Sequence, residues 1–211
     1  MRTALLAACL VACGGASPQA VNVPPTTPSA SASSTAEAPP PASVVHFDDL
    51  GLSFAVPPGF HVMGDKELEA RVTASASPHL QSDLRSRADA KKGLPLLALS
   101  KDDLNVTLSV VVVPADATAM ELVAHQQDVM KANLAGFEVT GAPKERTVDN
   151  VPGAEMQSRY TLDKKAVASR MRLFVRNGIA TLVTAVWTDG APGGDAAATA
   201  LDGLHFLPLP K

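Results

Sequence analysis

Cysteine is nearly absent from this chain of 211 residues, whose only two cysteines are Cys9 and Cys13. The residues beyond position 13 therefore have no disulfide, no thiolate metal ligand and no cysteine nucleophile. Aromatic residues are scarce as well: they make up 4% of the sequence, and all of them lie between Phe47 and Phe206. Because a core needs such large side chains, we predict a single folded domain over residues 44–211.

The sequence also lacks an excess of positive charge. Its formal net charge is −3, with 18 Lys and Arg against 21 Asp and Glu. This balance argues against a protein that binds nucleic acid by neutralising phosphate groups. We therefore predict that nucleic acid is not a partner.

Local signatures of catalysis are missing too. The sequence has no Gly-x-Ser-x-Gly elbow, phosphate-binding glycine loop or dinucleotide fingerprint. Its five histidines include no pair at i, i+4 spacing around a glutamate, as a zinc hydrolase would need. We predict that the chain is not an enzyme and binds no cofactor. A hydrolase triad assembled from distant residues, with His61, His125 or His205 as the base, is kept as an alternative.

The N-terminus resembles a bacterial lipoprotein signal. Arg2 precedes an apolar run that is too short to span a bilayer as a mature helix. Leu10-Val11-Ala12-Cys13 resembles a lipobox, in which cleavage occurs before a cysteine that becomes diacylated. Leu6-Ala7-Ala8-Cys9 fits the same pattern, but Cys13 leaves a longer apolar segment and is followed by Gly14-Gly15.

This resemblance implies a location. We expect residues 1–13 to be a signal segment and Cys13 to carry the lipid, so that one partner of the mature protein is a membrane. Glycine after the cysteine is typical of lipoproteins routed to the outer membrane. The expected place is the cell envelope, on the periplasmic or surface side of that membrane. An ordinary secretory signal and a chance apolar N-terminus are the alternatives.

Residues 14–43 have the composition of a disordered linker. Of these 30 residues, 23 are Pro, Ala, Ser or Thr, and Glu37 is the only charged one. Such a segment cannot bury enough apolar surface to offset the entropy lost on ordering. Its reach lies between about 30 Å as a flexible coil and about 90 Å when extended. The sequence therefore predicts a domain held clear of the membrane.

Three consecutive strands are predicted over residues 154–162, 169–176 and 179–187. The first two alternate apolar and polar side chains, and the third is apolar almost throughout, as in a strand covered on both faces. Asn177-Gly178 joins the second strand to the third and suits a two-residue hairpin turn, because both positions tolerate positive φ. These strands predict an antiparallel sheet.

The rest of the domain supplies further strands and the helices that cover the sheet. Thr118 and Glu121 form a capping-box pattern that opens a helix through about residue 134. A second helix is predicted over 196–204, capped by Asp195, and one or two surface helices over 65–92. The remaining predicted elements are strands at 46–47, 52–56, 94–100, 105–113 and 137–144 and a turn at 149–153. The predicted fold class is α+β, with a mostly antiparallel sheet between helices in an α/β/α sandwich.

This order of elements, with the opening Phe47-x-x-x-Gly51-x-x-Phe54-x-x-Pro57-x-Gly59-Phe60, resembles the PsbP-like and DcrB-like superfamily of small domains. The resemblance covers roughly residues 45–206, and its motifs are mostly structural. It implies an antiparallel sheet between helices and a role as an accessory or binding protein of an envelope or lumenal assembly. It assigns no catalytic residue.

One group of basic residues is a candidate interaction patch, for an anionic membrane surface or an acidic envelope protein. Arg159 is predicted to face the same way as Arg170 and Arg172. A solvated sheet face, with long side chains over apolar neighbours, is the alternative. The patch consists of Arg159, Lys164, Lys165, Arg170, Arg172 and Arg176.

Two weaker site patterns are also present. His46, Asp48 and Asp49, with His61, could offer ligands to a metal, but a full ligand set is missing and turn-forming aspartates explain the pattern more simply. Residues 101–105 lack the glycine and distal glutamate of a calcium loop. We therefore predict no metal site, and keep a metal or small-molecule carrier as an alternative function.

Overall fold

A computed structural model describes residues 43–64, 66–67, 96–101, 104–112, 116–162 and 164–208 of the chain. Ten strands and two α-helices lie wholly within these ranges. In chain order they are β1 Val44–Phe47, β2 Leu52–Ala55, β3 His61–Val62, β4 Leu96–Lys101, β5 Leu104–Val112, α1 Ala119–Asn133, β6 Ala135–Val148, β7 Val151–Leu162, β8 Lys165–Arg176, β9 Ile179–Thr188, α2 Gly194–Ala200 and β10 Leu204–Phe206.

Seven of the strands form one sheet in the order β3-β4-β5-β9-β8-β7-β6. Every neighbouring pair is antiparallel. Asn177 and Gly178 both have positive φ, 52° and 73°, and Arg176 pairs with Ile179 across the turn. The predicted two-residue hairpin is therefore confirmed, and it sets the register of β8 against β9.

Helix α1 covers one face of this sheet, called here the α1 face. The predicted capping box is present: Glu121 N–H donates to Thr118 Oγ1 at 3.2 Å, and Thr118 N–H donates to Glu121 Oε2 at 2.7 Å. Apolar side chains of the helix pack on alternate residues of β7, β8 and β9. This core contains Leu122, Val123, Met130, Met156, Tyr160, Val167, Met171, Leu173, Leu182 and Val186.

The opposite face, called here the α2 face, is covered by α2 and by a second sheet of three strands in the order β1-β2-β10. Phe54 on β2, fully buried, packs in this core with Phe174 of β8 and Phe206 of β10. Two buried layers therefore enclose the seven-stranded sheet. The predicted α+β class is confirmed, with the addition that a small sheet shares the second layer with the helix.

Several predicted boundaries were wrong. Strand β6 extends to Val148, and the turn after it is only Asp149-Asn150, both at positive φ, instead of residues 149–153. Helix α2 begins at Gly194, so Asp195 lies in its first turn, and Gly193 is the cap without a side-chain bond. A 3-10 turn, Leu201–Gly203, replaces the predicted end of that helix. Strand β10 was not predicted, because three residues are too few to show a period.

Other predictions lie outside the described residues. These are the signal segment, Cys13, the linker up to residue 42, and the helices over 65–92 except residues 66–67. Within the described part of the chain, no helix combines the length and apolar character that crossing a membrane requires.

Candidate functional site

Among the residues that the structure describes, Glu155 is the one whose carboxylate is buried. Strand β7 turns its odd-numbered residues toward the α2 face, so Glu155 points into the layer under α2. Arg172 lies directly opposite on β8, and Gln157 lies opposite Arg170. Only 3% of the Glu155 side chain is exposed. A carboxylate at this depth requires compensating charge.

Three arginines supply that charge through a single oxygen, Glu155 Oε2. Arg170 Nη2 and Arg172 Nε each donate to it at 2.8 Å. Arg146 Nε on β6 lies 3.4 Å from the same oxygen. We call Glu155, Arg146, Arg170 and Arg172 the Glu155 cluster. Hydrogen bonds to charged groups are about twice as strong as neutral ones, so the cluster holds three neighbouring strands together.

The same arginines also fasten the C-terminal segment to the sheet. Arg170 Nη1 donates to the carbonyl of Ala198 at 3.0 Å, and Arg172 Nη1 donates to that of Leu201 at 3.2 Å. Arg172 also pairs with Asp202 in the 3-10 turn. Carbonyls at the end of a helix have no partner within it, so guanidinium donors satisfy groups that would otherwise be buried without hydrogen bonds.

The electrostatics of the cluster fix Glu155 as an anion. Burial by itself raises the pKa of the Glu155 carboxyl, but the hydrogen bonds and charges of Arg170 and Arg172 outweigh it. The pKa of Glu155 falls from 4.5 to about 2. A carboxylate with so low a pKa and with guanidinium groups around it is a poor general base at neutral pH. The geometry therefore points to a structural role.

This lowered pKa predicts a pH dependence of stability. A group that binds protons less well when folded contributes stability above its unfolded pKa, and the contribution is lost as the pH falls through the folded pKa. We expect the stability difference between the wild type and Glu155→Gln to shrink as the pH falls from 4.5 to about 2. Urea unfolding at several pH values measures this difference. The pKa shifts of other carboxyl groups are common to both proteins and therefore cancel in it. A difference that stays constant over this window would contradict the role given to Glu155.

A second polar contact holds strand β10. Asp149, in the β6–β7 turn, accepts a hydrogen bond from the backbone N–H of Phe206 at 2.9 Å and lies 3.2 Å from His205 Nδ1. The bond from Phe206 N–H is the main cause that lowers the pKa of Asp149. The pair of His205 and Asp149 therefore attaches strand β10 to the β6–β7 turn at the surface, and the Asp149 carboxylate accepts a backbone hydrogen bond there.

The structure distributes the six residues of the predicted basic patch over several environments. Arg159, Arg170 and Arg172 share the α2 face as predicted, but α2 and the 3-10 turn after it cover the latter two. Arg159 is 59% exposed and pairs with Asp189 at 3.3 Å. Arg176 donates to the carbonyl of Leu207 and lies over the Phe206 ring. Lys164 and Lys165 are exposed at the β7–β8 turn. The six therefore do not form one exposed patch, and their contact with a partner stays a prediction.

Two of the described histidines, His46 and His205, lie opposite Ser53 on one face of the small sheet, and the other two lie on different elements. His46 is on β1 of the small sheet, whereas His61 is on β3 of the large one and contacts Glu67 at 3.0 Å. His125 is exposed on α1. Within the part of the chain that the structure describes, no group of three or more His, Cys, Asp or Glu side chains could hold a metal ion.

Sequence reasoning missed Glu155, Arg146 and Asp202. The alternation of residues 154–162 places Glu155 on the polar side of the strand, together with Arg159, and shows nothing of what it contacts. The pairing follows from the register of the β7–β8 hairpin, in which Leu162 pairs with Lys165 and Glu155 therefore with Arg172, but the residues of that turn do not specify this register. Asp202 has no signal in the sequence either, since the 3-10 turn that carries it has no sequence period.

No protein-family model matches this chain, and no curated protein matches it either. Solved structures with a similar chain path do exist. One is the PsbP protein (CyanoP) of Synechocystis sp. PCC 6803, with 14% identity and a TM-score of 0.49 over 83% of this chain and 98% of that one.

Two further structures are similar to a smaller degree. LpqN of Mycobacterium tuberculosis, involved in cell envelope biogenesis, has 14% identity and a TM-score of 0.42 over 80% of this chain and 86% of LpqN. A Pseudomonas aeruginosa protein of unknown function has 15% identity and a TM-score of 0.47, covering 56% of this chain and 85% of its own. At such identities the function has to be argued from this chain's own residues.

Proposed function

We propose that this protein is a lipid-anchored binding or accessory module of the cell envelope that carries out no catalysis itself. The observation that supports this best is the Glu155 cluster. Among the carboxyl groups of the described residues, the one whose pKa falls to about 2 is bound by Arg170 and Arg172, and those arginines hold the C-terminal segment in place. This group is buried and bound by arginines that hold the fold together, whereas a perturbed pKa suggests catalysis when the group lies open to a substrate in a cleft.

The anchoring part of the proposal is supported by the sequence. Cys13 ends a lipobox-like segment, and residues 14–43 have linker composition. A diacylated cysteine provides two acyl chains, which is what stable attachment to a bilayer requires. The linker would let the domain reach an envelope partner about 30–90 Å from the membrane surface. A small-molecule or metal carrier and a hydrolase are the alternatives.

The anchor can be tested with the full-length chain and a Cys13→Ser variant, both expressed in a bacterium that processes lipoproteins. We expect the wild type in the membrane fraction and the variant in the released fraction, because the acyl chains supply the attachment. Mass spectrometry of the purified wild type should show an N-terminal diacylated cysteine. An unmodified Cys13, or equal fractionation of the two proteins, would contradict the proposal; Cys9→Ser is the matched control.

A further inference from the structure

Strand β6 is an outer strand of the seven-stranded sheet, and within the described ranges no strand pairs with its outer side. Its side chains are exposed over most of its length, and so are Gln157 and Arg159 on the adjacent part of β7. An open edge of this kind is a template for an added strand unless it is blocked.

Most of this edge is blocked, and one short stretch is not. The β6–β7 register shifts between Ala135 and Glu138, between Val139 and Gly141, and between Gly141 and Lys144. Bulges and Pro143, which has no N–H, disfavour strand addition along this part. From Lys144 to Val148, however, five consecutive residues pair regularly with β7. This regular stretch, called here the Lys144 edge, is where an added strand fits.

The Lys144 edge also carries positive charge on one face. Lys144 lies opposite Glu155 and Arg146 lies opposite Gly153, so both point to the α2 face, about 6.8 Å apart along the strand. Arg146 is 46% exposed and lies 3.4 Å from a carboxylate that two other arginines also bind. The guanidinium groups of the Glu155 cluster carry three positive charges, and the carboxylates of Glu155 and Asp202 carry two negative ones. The net charge of the site is therefore +1, and Lys144 raises it to +2.

We propose that the Lys144 edge binds an extended acidic segment of a partner protein as an added strand, with acidic side chains at alternate positions facing Lys144 and Arg146. Backbone hydrogen bonds between the added strand and β6 would provide affinity. The two-residue spacing of Lys144 and Arg146 would provide specificity, because every second side chain of the added strand faces the same way. A guanidinium also matches a carboxylate through two parallel hydrogen bonds. A lipid surface fits less well, because Glu145 is exposed on the other face of the same strand. This inference rests on the proposed binding role.

Fluorescence anisotropy with two labelled heptapeptides tests it, using the intact chain. One peptide alternates threonine and glutamate, and the other has the same composition with its glutamates adjacent. We expect the alternating peptide to bind more tightly, and Lys144→Glu to weaken its binding about tenfold. Arg146→Gln, which keeps most of the side-chain volume and introduces no negative charge, should also weaken binding.

Lys131→Glu is the matched control, because it makes the same charge change at an exposed residue of helix α1, on the side of the sheet away from the α2 face. It should bind the alternating peptide as the wild type does. The proposal is overturned if neither peptide binds, if both bind equally, or if Lys131→Glu loses as much affinity as Lys144→Glu. Binding to phosphatidylglycerol vesicles without peptide binding would overturn it in favour of a membrane surface. None of these results changes the outcome of the Cys13→Ser test, so the two proposals fail separately.

Discussion

Glu155→Gln is expected to lower the free energy of unfolding by about 3–5 kcal/mol, since removal of one partner leaves buried charges uncompensated. The amide has nearly the shape of the carboxylate, so packing is preserved. Arg170 and Arg172 would remain under α2, with Asp202 as their remaining carboxylate. Water could not replace the lost partner of Arg172, because only 7% of that side chain is exposed. A domain of this size has a total stability of about 5–15 kcal/mol, so the loss would be a large part of it.

Urea unfolding followed by circular dichroism and by fluorescence measures the loss. Trp187 is the only tryptophan, and a Cβ on Gly194, at the start of α2, would lie 2.7 Å from its Nε1. Its emission therefore reports whether α2 stays on the sheet. Glu145→Gln, at an exposed position of β6, is the control and should change stability by less than about 0.5 kcal/mol. A loss below about 1 kcal/mol for Glu155→Gln would show that the arginines do not depend on this carboxylate.

The register of one hairpin could be predicted from the sequence, and the register of its neighbour could not. Asn177-Gly178 specifies a two-residue turn, and this places Arg172 opposite Val183, as observed. Strands β7 and β8 are joined by residues 163–164, where Lys164 takes a φ of 67° without the glycine that signals such a turn. Without that signal, the pairing of Glu155 with Arg172 was not predicted.

The same limit explains the interpretation of the arginines. The alternation of apolar and polar residues in β8 correctly places Arg170, Arg172 and Arg176 on one face of the strand. Met171 and Leu173 lie on its other face. It could not show what covers that face, because a polar face can meet either water or a helix end whose carbonyls need donors. In this fold the carbonyls of Ala198 and Leu201 accept hydrogen bonds from Arg170 and Arg172, so these two charged residues lie beneath the C-terminal segment.

Phe174→Ala is expected to lower the free energy of unfolding by about 3–5 kcal/mol, the cost of an unfilled cavity in a well-packed core. The ring is 1% exposed and joins the two sheets: it packs edge-on against Phe206 of β10, with ring centroids 5.3 Å apart. It also rests on Gly153, where a Cβ would lie 2.4 Å from Phe174 Cδ1. Gly153 has no side chain that could move into the space left by the ring. Urea unfolding of the variant measures the loss.

Phe137→Ala is the control for this substitution, because Phe137 is only partly buried at the edge of the α1 core. It should lose clearly less, since less surface is removed from water when that ring packs. The Phe174→Ala and Phe206→Ala double-mutant cycle should give a coupling of about 0.5–1.5 kcal/mol, as expected for an aromatic pair. Equal losses for Phe174→Ala and Phe137→Ala would mean that the small sheet adds little to the core. In that case the contacts of Arg170, Arg172 and Asp149 would be what holds the C-terminal segment to the large sheet.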